Sequence, residues 1–430
     1  MDLYIYPDSR NKNGESNYCM VSTEKGDFLS VTGPDTMLFE SGYHPGTNID
    51  EKFFPLSVEN SKVIMKLFDF TRPKSHKGYD TTIGLGDRLG LATAGHIRLI
   101  RDYDIFPVFA QQSIRELNLT GRTYEDVLAS AVWAVFREGY KKGYGADGDH
   151  LKTHDEVKYA LESGYTMITL DCSEHIPQGL DAVVKFAADI YHEHISSRDV
   201  DFELSIDETQ TVTTQEDHLF VAEALKKAGV EIVSLAPRFC GEFQKGIDYM
   251  GDTGQFEKEL VVHADIAGNN GYKVSVHSGS DKFSVFPIIG RVTGGRYHLK
   301  TAGTNWLEAV RVIAEKEPAL YREMHVYALE NLSEARQYYH ITCDISKIAD
   351  LEKVSDENLP QYLDEDDSRQ VLHITYGLIL KAKNADGTSR FRDRIYQTLE
   401  KHESDYIAAL EKHIGKHLTE LGVSLRRKDG

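Results

Sequence analysis

The sequence predicts an α/β fold, a (β/α)8 TIM barrel with an N-terminal β-rich extension and a C-terminal helical extension. Two observations carry this. Between about residue 80 and residue 304, a short apolar run ending in polar residues alternates with a helical stretch, eight times in succession. Strands separated by helices run parallel, and eight is the number that closes a barrel. The second observation is placement: side chains of ligand type gather where those runs end, which in a barrel is the face that carries chemistry. A doubly wound open sheet is the rival reading. The predicted division is 1–78, β-rich; 79–345, barrel; and 346–430, mostly helical.

Taken in order, residues 1–75 hold short β-like runs such as LYIY and VIMKLF, separated by Gly, Pro and Asn. The first four barrel strands are then TTIGLGDR (81–88), IFPVFAQQ (105–112), YGADGDHLK (144–152) and TMITLDCSE (166–174). The second four are FELSIDET (202–209), EIVSLAPR (231–238), YKVSVHSGSDK (272–282) and RYHLKTAGT (296–304). Helix-like segments lie between them, for example 214–227 and 306–315. After about residue 345 the rhythm stops. An acidic stretch at 362–367 leads into QVLHITYGLIL and then a charged helical tail.

Composition narrows the function classes. A chain of 430 residues, 40% hydrophobic and 27% charged, is long enough for a barrel of roughly 250 residues plus additions. The formal net charge of −19 excludes nucleic-acid binding by bulk electrostatics, which needs a basic footprint. A small anionic substrate is not excluded, because a few local cations decide that. The four cysteines, Cys19, Cys172, Cys240 and Cys343, are widely spaced and read as free thiols. No signal peptide and no membrane span are expected, so the expected location is the cytoplasm. A homo-oligomer is compatible with the sequence.

The strand ends supply the candidate site. The first loop presents Asp87 and Arg88, and the second strand ends in Gln112. The third ends in Asp149, His150 and Lys152, the fourth in Asp171, the fifth in Asp207 and Glu208, and the sixth in Arg238. The seventh ends in His277, Ser278, Asp281 and Lys282, and the eighth carries His298 and Lys300. Alternation places Val274 and Val276 against the helices and turns Lys273, Ser275 and His277 inward. Likewise Tyr297 and Leu299 face out while His298 and Lys300 face in. His150, His277 and His298, with a carboxylate from the fifth strand, suit a borderline divalent cation: Zn²⁺, Mn²⁺, Co²⁺ or Ni²⁺. Glu208 is the preferred carboxylate, whereas strict alternation favours Asp207. His96, His154, His194, His218, His402 and His413 fall in helical runs and are read as packing or solvated residues. GLGDRLG (84–90) has GxGxxxG spacing rather than GxGxxG, with no ribose-binding acid on a second strand, so no nicotinamide is expected.

Two strand ends resemble a known family. GDHL (148–151) resembles the third-strand motif of class II, metal-dependent ketose-bisphosphate aldolases and their tagatose-bisphosphate-aldolase relatives, in which an Asp-His pair supplies an acid/base and a metal ligand. VHSGSDK (276–282) resembles their later His-Gly-Gly-Ser segment. Through GDHLK, SIDET, LAPRFCGEF, HSGSDKFS, RYHLKTAGT and RQVLHITYG, most of residues 80–380 is similar to the tagaturonate epimerase family. The sixth-strand histidine of the aldolases is replaced here by Arg238. The resemblance implies a metal-dependent epimerase of hexuronate catabolism interconverting tagaturonate and fructuronate, 5-ketohexonates that differ at C3. It implies Asp149 as acid/base, with Glu208 sharing that work if it is not a ligand. Arg238, Lys282, Lys300 and Arg369 become candidates for the substrate carboxylate, and Arg88, Gln112 and Lys152 for further substrate contacts. Alternatives are a class II ketose aldolase, another ketose 4-epimerase, and a non-catalytic aldolase partner subunit.

Overall fold

The computed structural model describes residues 3–46 and 50–426. Five short strands, β1 (Tyr4–Ile5), β2 (Asn11–Asn13), β3 (Ser16–Thr23), β4 (Gly26–Thr32) and β5 (Glu51–Pro55), form an antiparallel sheet in the order β1-β3-β4-β5, with β2 paired to β3. VIMKLF departs from expectation. It lies largely in the helix Val58–Leu67, whose first turn is closed by Ser57 accepting a hydrogen bond from the Asn60 amide. A six-residue apolar run cannot reveal its own period, and the N-cap serine was the deciding signal.

The next eight strands close into a parallel barrel: β6 (Thr81–Leu85), β7 (Phe106–Ser113), β8 (Gly145–Leu151), β9 (Met167–Asp171), β10 (Asp201–Ser205), β11 (Ser234–Ala236), β12 (Lys273–Val276) and β13 (Tyr297–Thr301). Closure is made by β13 against β6, with Tyr297 opposite Thr81 and Thr301 opposite Leu85. Each of the eight barrel strands predicted from the sequence is one of these eight.

Barrel interiors are usually filled by bulky branched side chains. This one is lined by polar layers. In the lower layer His298 stacks on His76, with ring centroids 5.7 Å apart, and its Nδ1 lies 2.8 Å from Thr82 Oγ1. Lys273 there donates to the Tyr79 carbonyl at 2.8 Å. The layer above gathers Asp147, Thr169, Glu203 and Lys300, all buried. The apolar outward set, including Val274, Val276, Tyr297 and Leu299, packs under the surrounding helices.

A second apolar core runs from Trp306, in the helix Thr304–Lys316, through the C-terminal helices to Leu410. The helix Glu403–Glu420 returns along the outside of the barrel and packs on the helix Thr93–Ile100. Among the described residues no helix is long and apolar enough to cross a membrane.

Candidate active site

Strand alternation alone would send Asp149 and His150 to opposite faces. Two irregularities at the end of β8 bring both to the mouth. The pairing with β9 slips between Gly148 and Leu151, and His150 has φ of 54°. Left-handed backbone is uncommon outside glycine and clusters at functional sites. Among the described residues, the non-glycine cases are Ser41, His150, Ser278 and Asp281. Three of these belong to the strand ends after β8 and β12.

These strand ends meet as two carboxylate–histidine pairs facing each other. Asp149 Oδ1 holds His150 Nδ1 at 2.7 Å, which turns His150 Nε2 toward Asp207 Oδ1 and Glu208 Oε1, each 3.9 Å away. Glu203 Oε1 holds His277 Nε2 at 2.8 Å, leaving His277 Nδ1 facing Asp207 Oδ2 at 3.3 Å. That buried Nδ1 makes no hydrogen bond. One donor atom each from His150, Asp207 and His277 lies within 4.8 Å of the others. Two imidazoles and a carboxylate, each imidazole oriented from behind by a second carboxylate, are donors of the type that could hold a divalent cation. The orphaned Nδ1 fits the same reading.

Lys300 underlies this cluster. Its ammonium donates to Asp147 Oδ2 at 2.7 Å, to Asp149 Oδ1 at 2.8 Å and to Thr169 Oγ1, and lies 3.1 Å from Glu203 Oε1. Burial opposes the charge on Lys300, but Asp147, Asp149 and Glu203 outweigh it and raise its pKa. Burial likewise opposes charge on Asp149, and Lys300 and His150 outweigh it, holding the carboxyl well below the usual carboxylate range. His277 is pushed up to about 10, its burial overcome by Asp207 and Glu203.

Above the cluster is a cavity of about 230 Å³. Asp149, His150, Asp207, Glu208, Arg238, His277, Lys282 and Lys300 all line it. Two of the predicted cations are committed elsewhere. Lys300 is enclosed by carboxylates, and Lys282 Nζ donates to three carbonyls, those of Gln244, Ile247 and Ser280, at 2.9, 2.6 and 2.8 Å. Arg238 is freer, with Glu242 3.5 Å from its guanidinium.

The other expected residues are not brought to the cavity wall. His298 faces inward as alternation requires. By register it pairs with Ser275, two residues short of His277, so it falls one layer too deep to join His150 and His277. Arg88 is spent on Glu116 at 2.8 Å and stacks 3.8 Å over Tyr376. Asp87 caps its own loop, accepting from the amides of Gly90 and Ala92 at 2.7 Å each. Gln112 is buried in β7 while its neighbour Gln111 reaches the cavity. Lys152 reaches Glu174 and Asp171 at 3.0 and 3.4 Å. Arg369 is tied to Asp281 at 2.8 Å and to the carbonyls of Gly246 and Leu363.

Several residues at the site lie outside the strand-end candidates. Arg115 lies just beyond β7, stacked 4.9 Å over Tyr339 and 3.9 Å from Glu208. Lys245 donates to Ser278 Oγ at 3.0 Å from a long loop with no periodic signal. His373, from the helix Asp366–Ile374, has both ring nitrogens buried and without hydrogen bonds, and lines the cavity with Tyr339. Glu203 could have been found, since alternation places 203, 205 and 207 on one face.

A sequence model of a family described as tagaturonate epimerase, UxaE, matches residues 6–183 and 180–421. The tagaturonate/fructuronate epimerase of Thermotoga maritima is 37% identical over 469 aligned positions, covering 96% of each chain. The crystal structure of the fructuronate-tagaturonate epimerase UxaE from Cohnella laeviribosi superposes with a TM-score of 0.94 at 46% identity, covering 98% of this chain and 97% of that one. A glycerol complex of the same Cohnella enzyme gives the same values.

Proposed function

The chain belongs to the tagaturonate epimerase family, and on that premise we propose that it interconverts D-tagaturonate and D-fructuronate by breaking and remaking the C3–C4 bond at a metal-assisted site. The observation that carries this reading is the meeting of His150, Asp207 and His277 beside the Asp149–Lys300 pair at the barrel mouth. The substrate chemistry explains why such a site is needed. C3 is β to the C5 ketone, so its C–H is not acidified and enolisation would invert C4 instead. A β-hydroxyketone can, however, lose its C3–C4 bond. The C3 hydroxyl gives up its proton, C3 becomes an aldehyde, and the bonding pair moves into an enediolate spanning C4 and C5. Re-addition to the other face of the aldehyde, with return of the proton to the C3 oxygen, inverts C3.

His150, Asp207 and His277 would hold a divalent cation, with Glu208 within reach as a further ligand. The ion would supply Lewis-acid stabilisation of the negative charge that gathers on the ketone oxygen. Asp149 is the first candidate to take and return the C3 hydroxyl proton, since Lys300 keeps it ionised. Glu208 is the second, being more open and nearest to Arg115. Arg115, Arg238 and Lys245 are the cations disposed to receive the substrate carboxylate, where a guanidinium offers a paired donor.

The isotope at C3 tests the bond-breaking step. During cleavage the C3 hydrogen rides on the aldehyde, so substrate deuterated at C3 should give product that keeps the label, and D2O should place none there. Wash-out of the label at the turnover rate would overturn C3–C4 cleavage in favour of deprotonation. Transient oxidation would also retain it, but would release a nicotinamide detectable by mass on denaturation.

A further inference from the structure

A second group of metal-type donors lies on the helices that follow β8 and β9, and none of its members lines the cavity at the barrel mouth. His154 is the first residue of the helix His154–Glu162, its backbone fixed by a capping box between Thr153 and Glu156. Glu193 and His194 sit in a π turn, Tyr191–Ile195, that continues the helix Leu180–Ile190. Such turns are rare and occur frequently at functional sites.

Three distances define the group. His154 Nδ1 is 3.0 Å from His194 Nε2 and 3.2 Å from Glu193 Oε2, and His194 Nε2 is 3.6 Å from Glu193 Oε1. A tetrahedral ion with ligands at ~2.0–2.2 Å sets its donors roughly 3.3–3.6 Å apart. One observed gap, 3.6 Å, falls at the upper end of that span, and the other two, 3.0 and 3.2 Å, lie within about 0.3 Å of its lower end. The side chains of His154, Glu193 and His194 are 42%, 62% and 14% exposed, so an ion can enter and water can complete the shell.

The buried trio Asp281, His413 and His417 makes a useful contrast. There Asp281 is paired to Arg369, and His417 Nε2 already accepts the Asp281 amide at 3.1 Å. Its donors are spent on the chain, and an adjacent guanidinium opposes a cation. At the surface group, His154 and His194 are paired with each other and with Glu193, and the cations felt by His194, Arg198 and Lys158, are not tied to the carboxylate of the trio.

We propose that His154, Glu193 and His194 form a second divalent transition-metal site, of the class that takes Zn²⁺, outside the catalytic mouth. His154 begins three residues after Leu151, the end of the strand carrying Asp149 and His150. An ion here ties the helix that follows β8 to the π turn that continues the helix after β9.

Zn²⁺ titrated into metal-stripped protein against a chromophoric chelator should bind as two equivalents per chain. His154→Ala and His194→Ala should each remove one equivalent and leave the epimerase rate unchanged, whereas His277→Ala should remove the other. In parallel, Zn²⁺ should still raise the Tm of His277→Ala protein, and that rise should vanish when His194→Ala is added. Two surface variants that both keep the wild-type stoichiometry would overturn the surface site. A single wild-type equivalent that His154→Ala abolishes would instead preserve the surface site and remove the ion from the catalytic one.

Discussion

Asp149 is poised between two partners that give it different work. Through His150 Nδ1 it orients a proposed metal ligand, and through Lys300 it is kept ionised beside the cavity. Asp149→Asn preserves the shape and can still accept a hydrogen bond from His150, but it cannot take a proton. The expected outcome is a loss in kcat of ~10²–10⁴-fold with metal content, read by elemental analysis, close to wild type. A variant within tenfold of wild type would transfer the proton-moving role to Glu208. At this scale the sequence was legible in direction but not in height. Alternation told which side chains face inward, and His277, Lys300 and His298 all do. It could not tell that His298 pairs with Ser275, one layer below the site, because height is set by the register between strands. Nor could it weigh competition for a cation. Lys282 and Arg369 carry the right charge, and both are consumed by carbonyls and carboxylates of the chain itself.

The seventh strand-end loop shows what an element adds. Ser278 and Asp281 both adopt left-handed backbone, with φ of 49° and 62°, and the loop faces two ways. Its near side gives Ser278 and Ser280 to the cavity. Its far side gives Asp281 to Arg369 and, at 2.7 Å, to His413 of the C-terminal helix. Burial opposes charge on Asp281, and His413 and Arg369 outweigh it, so the carboxyl lies far below its usual range. Removing one partner of a buried ion pair leaves the others uncompensated, at a cost of about 3–5 kcal/mol. Asp281→Ala should lose stability on that order in urea unfolding, and adding Arg369→Met should recover part of the loss. A double-variant loss equal to the sum of the Asp281→Ala and Arg369→Met losses would show that Asp281 and Arg369 do not act as a pair. The eight strands were readable because each is a local pattern of alternating or apolar residues bounded by polar ends. This fastening was not, since Asp281 and His417 are 136 positions apart and neither belongs to a periodic pattern that names the other.

The whole molecule must solve a problem that an aldolase does not have. If C3–C4 cleavage is the step, two three-carbon fragments exist for a moment, and an epimerase has to keep both. The chain carries a formal net charge of −19, yet Arg115, Arg238 and Lys245 converge on one cavity, so an acidic fragment finds its counter-charges there and little attraction outside. The C-terminal part then adds Tyr339 and His373 to the wall of a mouth that the barrel alone would leave more open. Gly303 leaves the room that His373 uses, for a methyl group at 303 would overlap its imidazole. Retention of fragments can be read by crossover. A mixture of substrate labelled with ¹³C only in C1–C3 and substrate labelled only in C4–C6 should give product labelled in one half or the other. Molecules labelled in both halves should be absent even after many turnovers. Their steady appearance, with dihydroxyacetone trapped from solution, would mean that the fragments escape and that the protein works as an aldolase. If the C3 deuterium is retained and the halves do not mix, cleavage and recombination take place within one closed site. Tyr339→Ala, which removes part of that wall and the ring under Arg115, should then let mixed-label product appear while the C3 label is still kept.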